Sequence, residues 1–323
     1  MLRHLGRRLL AAAVLVSVVS SAALVLVRLA PGDFASELFG SGATAQSIAR
    51  DRARYGLDQP LATQYLHWVQ RVGRLDLGTS LLYRRPVAEL LCQRALNTGL
   101  LAAAALLLAT AIGIPAGVLS GSRPTGWTSH AIRLVSLFFL SLPSLLTSLL
   151  LVLVAARTGW LPIGGMQSSA PPAGGLAERL VDVARHLVLP ALAVALPLAA
   201  AIEQLQGQAM AETMAMPFSL AALARGVSRR RLVWRDALRP ALAPVASVYG
   251  FIVGSLLSGS FVVEVVTRWP GLGRLMWEAL RARDLYLVAG CAAAGSLFLA
   301  LGSVVSDLAL AWADPRLRHR HDS

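Results

Sequence analysis

Residues 211–244 read AETMAMPFSLAALARGVSRRRLVWRDALRPALAP, a polar, arginine-bearing interruption between two long apolar segments. In so apolar a chain this segment lies outside the hydrocarbon, because a bilayer core gives irregular backbone no hydrogen-bond partners. Its residues suit a docking surface. Ala222, Ala224 and the intervening leucine favour a short helix that a partner can approach closely, and Gly226 can close that helix at positive φ. The segment is read as short helices and a Gly-closed turn offered to a soluble partner.

On both sides of it the chain is apolar. Over 323 residues, 56% are hydrophobic, 15% are charged and the mean hydropathy is +0.61, which indicates a membrane protein rather than two soluble domains. Apolar runs at 9–29, 97–120, 134–156, 186–206, 244–266 and 286–313 predict six transmembrane helices, so the fold class is all-α. Each run reaches the length of about twenty residues that crosses roughly 30 Å of hydrocarbon. The first follows Arg3, Arg7 and Arg8 in the charge order of a secretion signal, but it is too long for one and is read as a retained span. The expected organisation is a first transmembrane helix at 1–30, an outer cap loop at 31–94, a five-helix domain at 95–313 with an inner loop at 207–243, and a tail at 314–323.

Six spans place both termini on one side, and arginine says which. Arg123 and Arg133, then Arg225, Arg229, Arg230, Arg231, Arg235 and Arg239, then Arg316, Arg318 and Arg320 fall on the side of the N-terminal arginines. The short loops of the other side hold fewer: Arg157, Arg179 and Arg185, then Arg268, Arg274, Arg281 and Arg283. Positive charge marks the cytoplasmic side, so both termini and residues 211–244 are expected there.

The net charge of +13 comes wholly from arginine; the chain has no lysine. Dispersed over loops, without interleaved aromatics, these arginines do not form a nucleic-acid surface. No metal is expected, since Cys92 and Cys291 stand apart from other ligands; they are read as two small buried side chains, a disulfide requiring both to face outward. A phosphate-binding Gly-x-x-x-x-Gly-Lys motif is absent, so the chain should not hydrolyse ATP by itself. Glu203, Glu264 and Asp307 are read as charges at helix ends, which leaves the spans without an evident ion-coupling device. His186, at a span boundary, and Asp307, without an acid partner, fit a membrane hydrolase poorly.

Turn signals and a helical stretch at 62–72, with Tyr65, Leu66 and Val69 on one face, predict a partly helical cap in the first outer loop. Paired glycines and prolines (Gly164, Gly165, Pro171, Pro172, Gly174, Gly175) make the second outer loop irregular, ending in a short helix before His186. Pro115, Pro143, Pro190 and Pro197 fall inside spans and are expected to kink them.

In order along the chain come Pro31-Gly-Asp33, Tyr55-Gly-Leu-Asp-Gln-Pro60, Gln64-Tyr65, Asp76-Leu-Gly78-Thr-Ser80, Pro86-Val87, Asn97-Thr98, Gly159-Trp-Leu-Pro162, Trp269-Pro-Gly-Leu-Gly273, Arg283-Asp284 and Asp314-Pro-Arg316. Together they resemble the permease subunits of peptide and nickel importers of the ATP-binding-cassette class, of the type with a long first outer loop. The resemblance covers nearly the whole chain and implies the type I importer permease fold in a bacterial inner membrane. Within 211–244, Ala222-x-Ala224-x-Gly226 looks like the core of that family's cytoplasmic loop. The family pattern Asp-Tyr-Val-Arg-Thr-Ala-Arg-Ala-Lys-Gly is here altered, with Pro217, Leu220 and Leu223 in place of its acid and two arginines, a change that bears on which ATPase is the partner. Asp236 stands where a histidine is common, and Arg239-Pro240 where Arg-Asn is.

The resemblance implies a second homologous permease, two ATP-binding-cassette ATPases that carry the ATP and magnesium, and a periplasmic or lipid-anchored substrate-binding protein. This chain would need no cofactor and no catalytic residue. Phe218, Ala221, Ala222, Ala224, Arg225 and Gly226 would form the ATPase contact, with Arg225 and Arg229 as its polar rim. Trp269, Pro270, Gly271 and Gly273 would lie at the outer mouth and meet the binding protein. Residues that bind substrate are not assigned. Without the resemblance, two other classes stay open: a carrier or channel working without an ATPase, and a multispan enzyme or scaffold.

Overall fold

A computed structural model describes residues 2–29, 58–74, 76–168 and 175–313. Pro31 to Asp33, Tyr55 to Leu57, Pro171, Pro172, Gly174 and the tail at 314–323 lie outside the described residues, as does the side chain of Asp307. Among the described residues the chain is helical, and its one β feature is an isolated bridge between Thr79 and Pro86.

The helices are α1 (Leu2–Leu29), α2 (Leu61–Val72), α3 (Val87–Ser122), α4 (Trp127–Ser141), α5 (Ser144–Thr158), α6 (Leu176–Ala215), α7 (Pro217–Ala224), α8 (Arg229–Arg231), a π-helical segment Leu232–Ala237, α9 (Leu238–Ala241), α10 (Ala243–Val266), α11 (Leu272–Arg281) and α12 (Leu285–Ala313). Among the described residues, four stretches are long and apolar enough to cross a membrane: Leu10–Leu29, Val87–Ser122, Leu176–Ala215 and Leu285–Gly302. The pair α4 and α5 makes a fifth if taken as one broken span. The expected third span is therefore not one helix. Pro143 has no N–H and forces Leu142 out of helical geometry (φ −90°, ψ 121°), and the two halves meet at 107°. Pro115, Pro190 and Pro197 instead stay within helices.

Helices α3 and α6 overrun the hydrocarbon furthest. At 1.5 Å per residue α3 measures about 54 Å and α6 about 60 Å, against roughly 30 Å of hydrocarbon. Hydropathy alone placed their starts at 97 and 186; the added turns carry Glu89 and Arg94 in α3 and Glu178 and Asp182 in α6, which no apolar run includes. His186 is accordingly inside a continuous helix, buried, with its ring Nδ1 2.8 Å from the Asp182 carbonyl.

The chain divides into two compact units, 1–99 with 270–300 and 100–269 with 301–323. In the first, Val87, Leu90 and Leu91 pack with Leu275, Leu287, Val288 and Cys291. Trp68 of α2 packs with Leu24, Leu285 and Ala289, and the Tyr65 and Ser21 hydroxyls lie 3.0 Å apart. The inward face of α2 thus runs through Gln64, Tyr65, Trp68 and Val72, while Leu66 and Val69 are exposed, contrary to the expected face. Cys92 is exposed and Cys291 buried, and both are thiols; the expectation that both are buried fails at Cys92 because it lies outside the Val87, Leu90 and Leu91 stripe.

The second unit is organised around α6, which packs against α4, α5, α7 and α10. Its core joins Ala105 and Ala109 to Ala193, Val194, Ile202, Val245 and Ile252. Small side chains let α3 approach α6 closely: a Cβ added to Gly121 would lie 2.2 Å from the Gly207 carbonyl oxygen. In the same contact Ser120 donates to the carboxylate of Glu203. Glu203 and Glu264 are both buried in the protein; Glu264 lies in the last turn of α10, at a helix end as expected, while Glu203 is interior to the long helix α6, because hydropathy runs do not report which face a neighbouring helix covers.

Candidate functional site

Residues 211–244 leave the bundle through a built corner. Helix α6 ends at Ala215, and Met216 is extended (φ −66°, ψ 149°), as the residue before proline must be. Pro217 takes the first position of α7, where a missing N–H costs nothing. The corner is fixed by a buried pair: the Ser219 hydroxyl donates to the Thr213 carbonyl at 2.8 Å, and the Thr213 hydroxyl donates to Ala209 O at 2.7 Å.

The far end of α7 is closed as expected. The Gly226 N–H donates to Leu223 O at 3.0 Å and the Val227 N–H to Ala222 O at 3.1 Å, the paired bonds of a Schellman turn. Gly226 has φ +81° and open space around its Cα, so the conformation, not crowding, requires glycine.

This geometry decides what α7 presents. Phe218, Ala221, Ala224, Arg225 and Gly226 are exposed, and so is Leu220, at 58%. Ala222 is not part of that surface. At 6% exposure it faces inward with Ser219, three residues back on the same face, and seats α7 against the corner. No residue from 217 to 224 is charged; the contact chemistry of α7 is apolar, with Arg225 at its end.

Beyond the turn, α8, the π segment and α9 form a helical stretch whose buried residues, Val233, Ala237 and Ala241, pack on Val118, Ala209 and Met210. Arg229 extends from its start to the end of α3, where its Nη2 donates to Ser122 O at 2.6 Å. A cation at a helix C-terminus satisfies a carbonyl with no helical partner. Arg229, itself exposed, therefore fastens the start of this stretch to the end of α3. Thr213, Ser219, Ser122 and Val118 were not singled out in the sequence; Thr213 and Ser219 look like ordinary polar residues until the corner brings Ser219 near the Thr213 carbonyl.

Of the residues expected at the outer mouth, Pro270 is half-buried and the others are buried. Trp269 is 0% exposed and packs with Leu101 and Ala191. In the other unit the Pro270 carbonyl accepts from Asn97 Nδ2 at 2.8 Å, the Leu272 N–H donates to Thr98 Oγ1 at 2.8 Å, and Gly271 and Gly273 are buried. These residues anchor the chain, because an apolar Trp and three residues without polar side chains are cheaper inside than in water. A second anchor joins Ser80 to Asp284: the hydroxyl donates to Oδ2 at 2.6 Å, and the Leu82 and Leu287 N–H groups donate at 3.0 and 3.2 Å. Burial pushes the Asp284 carboxyl above its ordinary range, against the pull of those hydrogen bonds. Tyr83 donates to Glu278, and burial with that bond lifts its phenol to about 12.

Among the described residues no group of three His, Cys, Asp or Glu could hold a metal. Residues 113–319 match the family described as binding-protein-dependent transport system inner membrane component, and residues 1–94 match its N-terminal companion. Oligopeptide transport system permease protein AppB of Bacillus subtilis is 30% identical over 91% of this chain and 92% of its own length. A putative peptide permease protein of Brucella ovis is 32% identical over 98% of this chain and 99% of its own length. Glutathione transport system permease protein GsiC of Escherichia coli K12 is 30% identical, covering 99% of this chain and all of its own length.

Proposed function

This chain belongs to the family of binding-protein-dependent transport system inner membrane components and is a permease subunit of an importer, and we propose that α7 is where it couples to a separate ATP-hydrolysing subunit. The observation that carries this is an apolar helix held outward on a rigid corner: Phe218, Leu220, Ala221 and Ala224 exposed, Ser219 and Ala222 locked beneath. Such a face in water marks a protein contact. Its occupant would offer an apolar groove with acidic groups near Arg225.

The arginine distribution supports a cytoplasmic place for α7 and for both termini in a bacterial inner membrane. The importer would hold a second permease, two ATPases that bind ATP and magnesium, and a substrate-binding protein on the outer side. Closure of the ATPases on ATP would move α7, and α6, continuous with that corner, would carry the movement into the bundle. The names of the relatives support a peptide-class substrate. Gly226→Asp tests the coupling site: the variant should still insert but lose ATPase co-purification and uptake, and full retention of both would overturn the assignment.

A further inference from the structure

Arginine is concentrated beyond what the coupling turn uses. Arg230, Arg231, Arg235 and Arg239 are exposed on the stretch 229–241, and among the described residues no acid lies within ion-pair distance of them. Arg231, Arg235 and Arg239 recur at four-residue intervals and so lie near one face, where like charges repel. Asp236 is the one acid between 229 and 241. Trp234 stands exposed among them.

The stretch also ends where α10, the apolar helix expected as the fifth span, begins. Leu242 keeps helical geometry and donates to Leu238 O at 2.9 Å, so α9 passes into α10 without a loop. At 1.5 Å per residue, Arg239 and Arg235 precede the start of α10 by only about 6 and 12 Å of chain. The π segment between 232 and 237 shifts the register of the stretch while Leu232 and Val233 remain buried, leaving Trp234 and Arg235 outward. An indole beside guanidinium groups at the end of a span is the chemistry of the headgroup layer.

We propose that Arg231, Arg235 and Arg239, with Trp234, bind the phosphates of anionic phospholipid headgroups where α10 enters the bilayer. Guanidinium pairs two N–H donors with phosphate oxygens, and the anion relieves the repulsion along the stripe. The proposal rests on α10 being a span, and is separate from the partner assigned to α7.

The test is native mass spectrometry of the full-length chain released from mixed phosphatidylglycerol and phosphatidylcholine micelles, counting each lipid retained. Wild type should retain phosphatidylglycerol preferentially. R231Q/R235Q/R239Q should lower that preference at least fivefold, roughly the factor of one arginine at an anionic surface. The matched lysine variant should keep most of it, and R123Q/R133Q, off the stripe, should change it little. Equal preference in wild type and the glutamine variant would overturn the proposal. So would an unchanged preference with lost ATPase co-purification, which would make the stripe a protein contact. Loss of lipid preference with ATPase still bound would support the lipid site and leave the coupling assignment standing.

Discussion

Arg229 and Ser122 are 107 residues apart in sequence, and the guanidinium of the first donates to the carbonyl of the second at 2.6 Å. The bond ties the stretch after the Gly226 turn to the end of α3, so α7 is held between two fixed points, the Ser219 corner and the Arg229 clasp. Replacing Arg229 by Met should cost roughly 1 kcal/mol of stability, the net value of such a bond at a partly wet site. Chemical unfolding in detergent should show it, together with weaker ATPase retention; unchanged values for both would mean the clasp does not hold α7.

Gly226 and Gly121 should respond to alanine for different reasons. At Gly226 the cost is backbone strain of about 1–2 kcal/mol, confined to the turn, and Asn, which tolerates this conformation, should recover part of it. At Gly121 the added methyl meets the Gly207 backbone, so Gly121→Ala should destabilise the whole second unit by about 1–3 kcal/mol. Unfolding midpoints of Gly226→Ala, Gly226→Asn and Gly121→Ala measure both. An Asn variant no better than Ala would contradict the strain explanation.

How much of this could be read from residue order varies with the physics. The Gly226 turn was legible because only glycine takes that φ readily, and Pro217 because proline fits the first helical position. The break at Pro143 was not, since a proline inside an apolar run signals a kink as readily as a corner. Trp269-Pro-Gly-Leu-Gly273 was placed at the outer mouth by resemblance alone, and residue order could not show the bonds that hold it, to Asn97 and Thr98, more than 170 residues earlier. Helix pairing likewise decided Glu203, whose burial against Ser120 depends on which face α3 covers.

The Ser80 and Asp284 pair predicts a pH effect. Because burial raises the Asp284 pKa in the folded state, that state holds its proton more tightly than the unfolded chain. Stability from this group is full below its ordinary value of 3.8 and is lost as pH rises through the higher folded value. Asp284→Asn should remove that slope from thermal midpoints measured across the acid range. Ser80→Ala, which strips a donor from a buried carboxyl, should cost roughly 2 kcal/mol.

The coupling assignment is tested most directly by a photo-crosslinking residue at Leu220, in the complex purified with its ATPase. The account predicts a covalent adduct between the two subunits from Leu220, and from Ala221, but none from Trp277, which is exposed on α11 in the other unit. An intact complex that gives no adduct at Leu220 or Ala221 would contradict it.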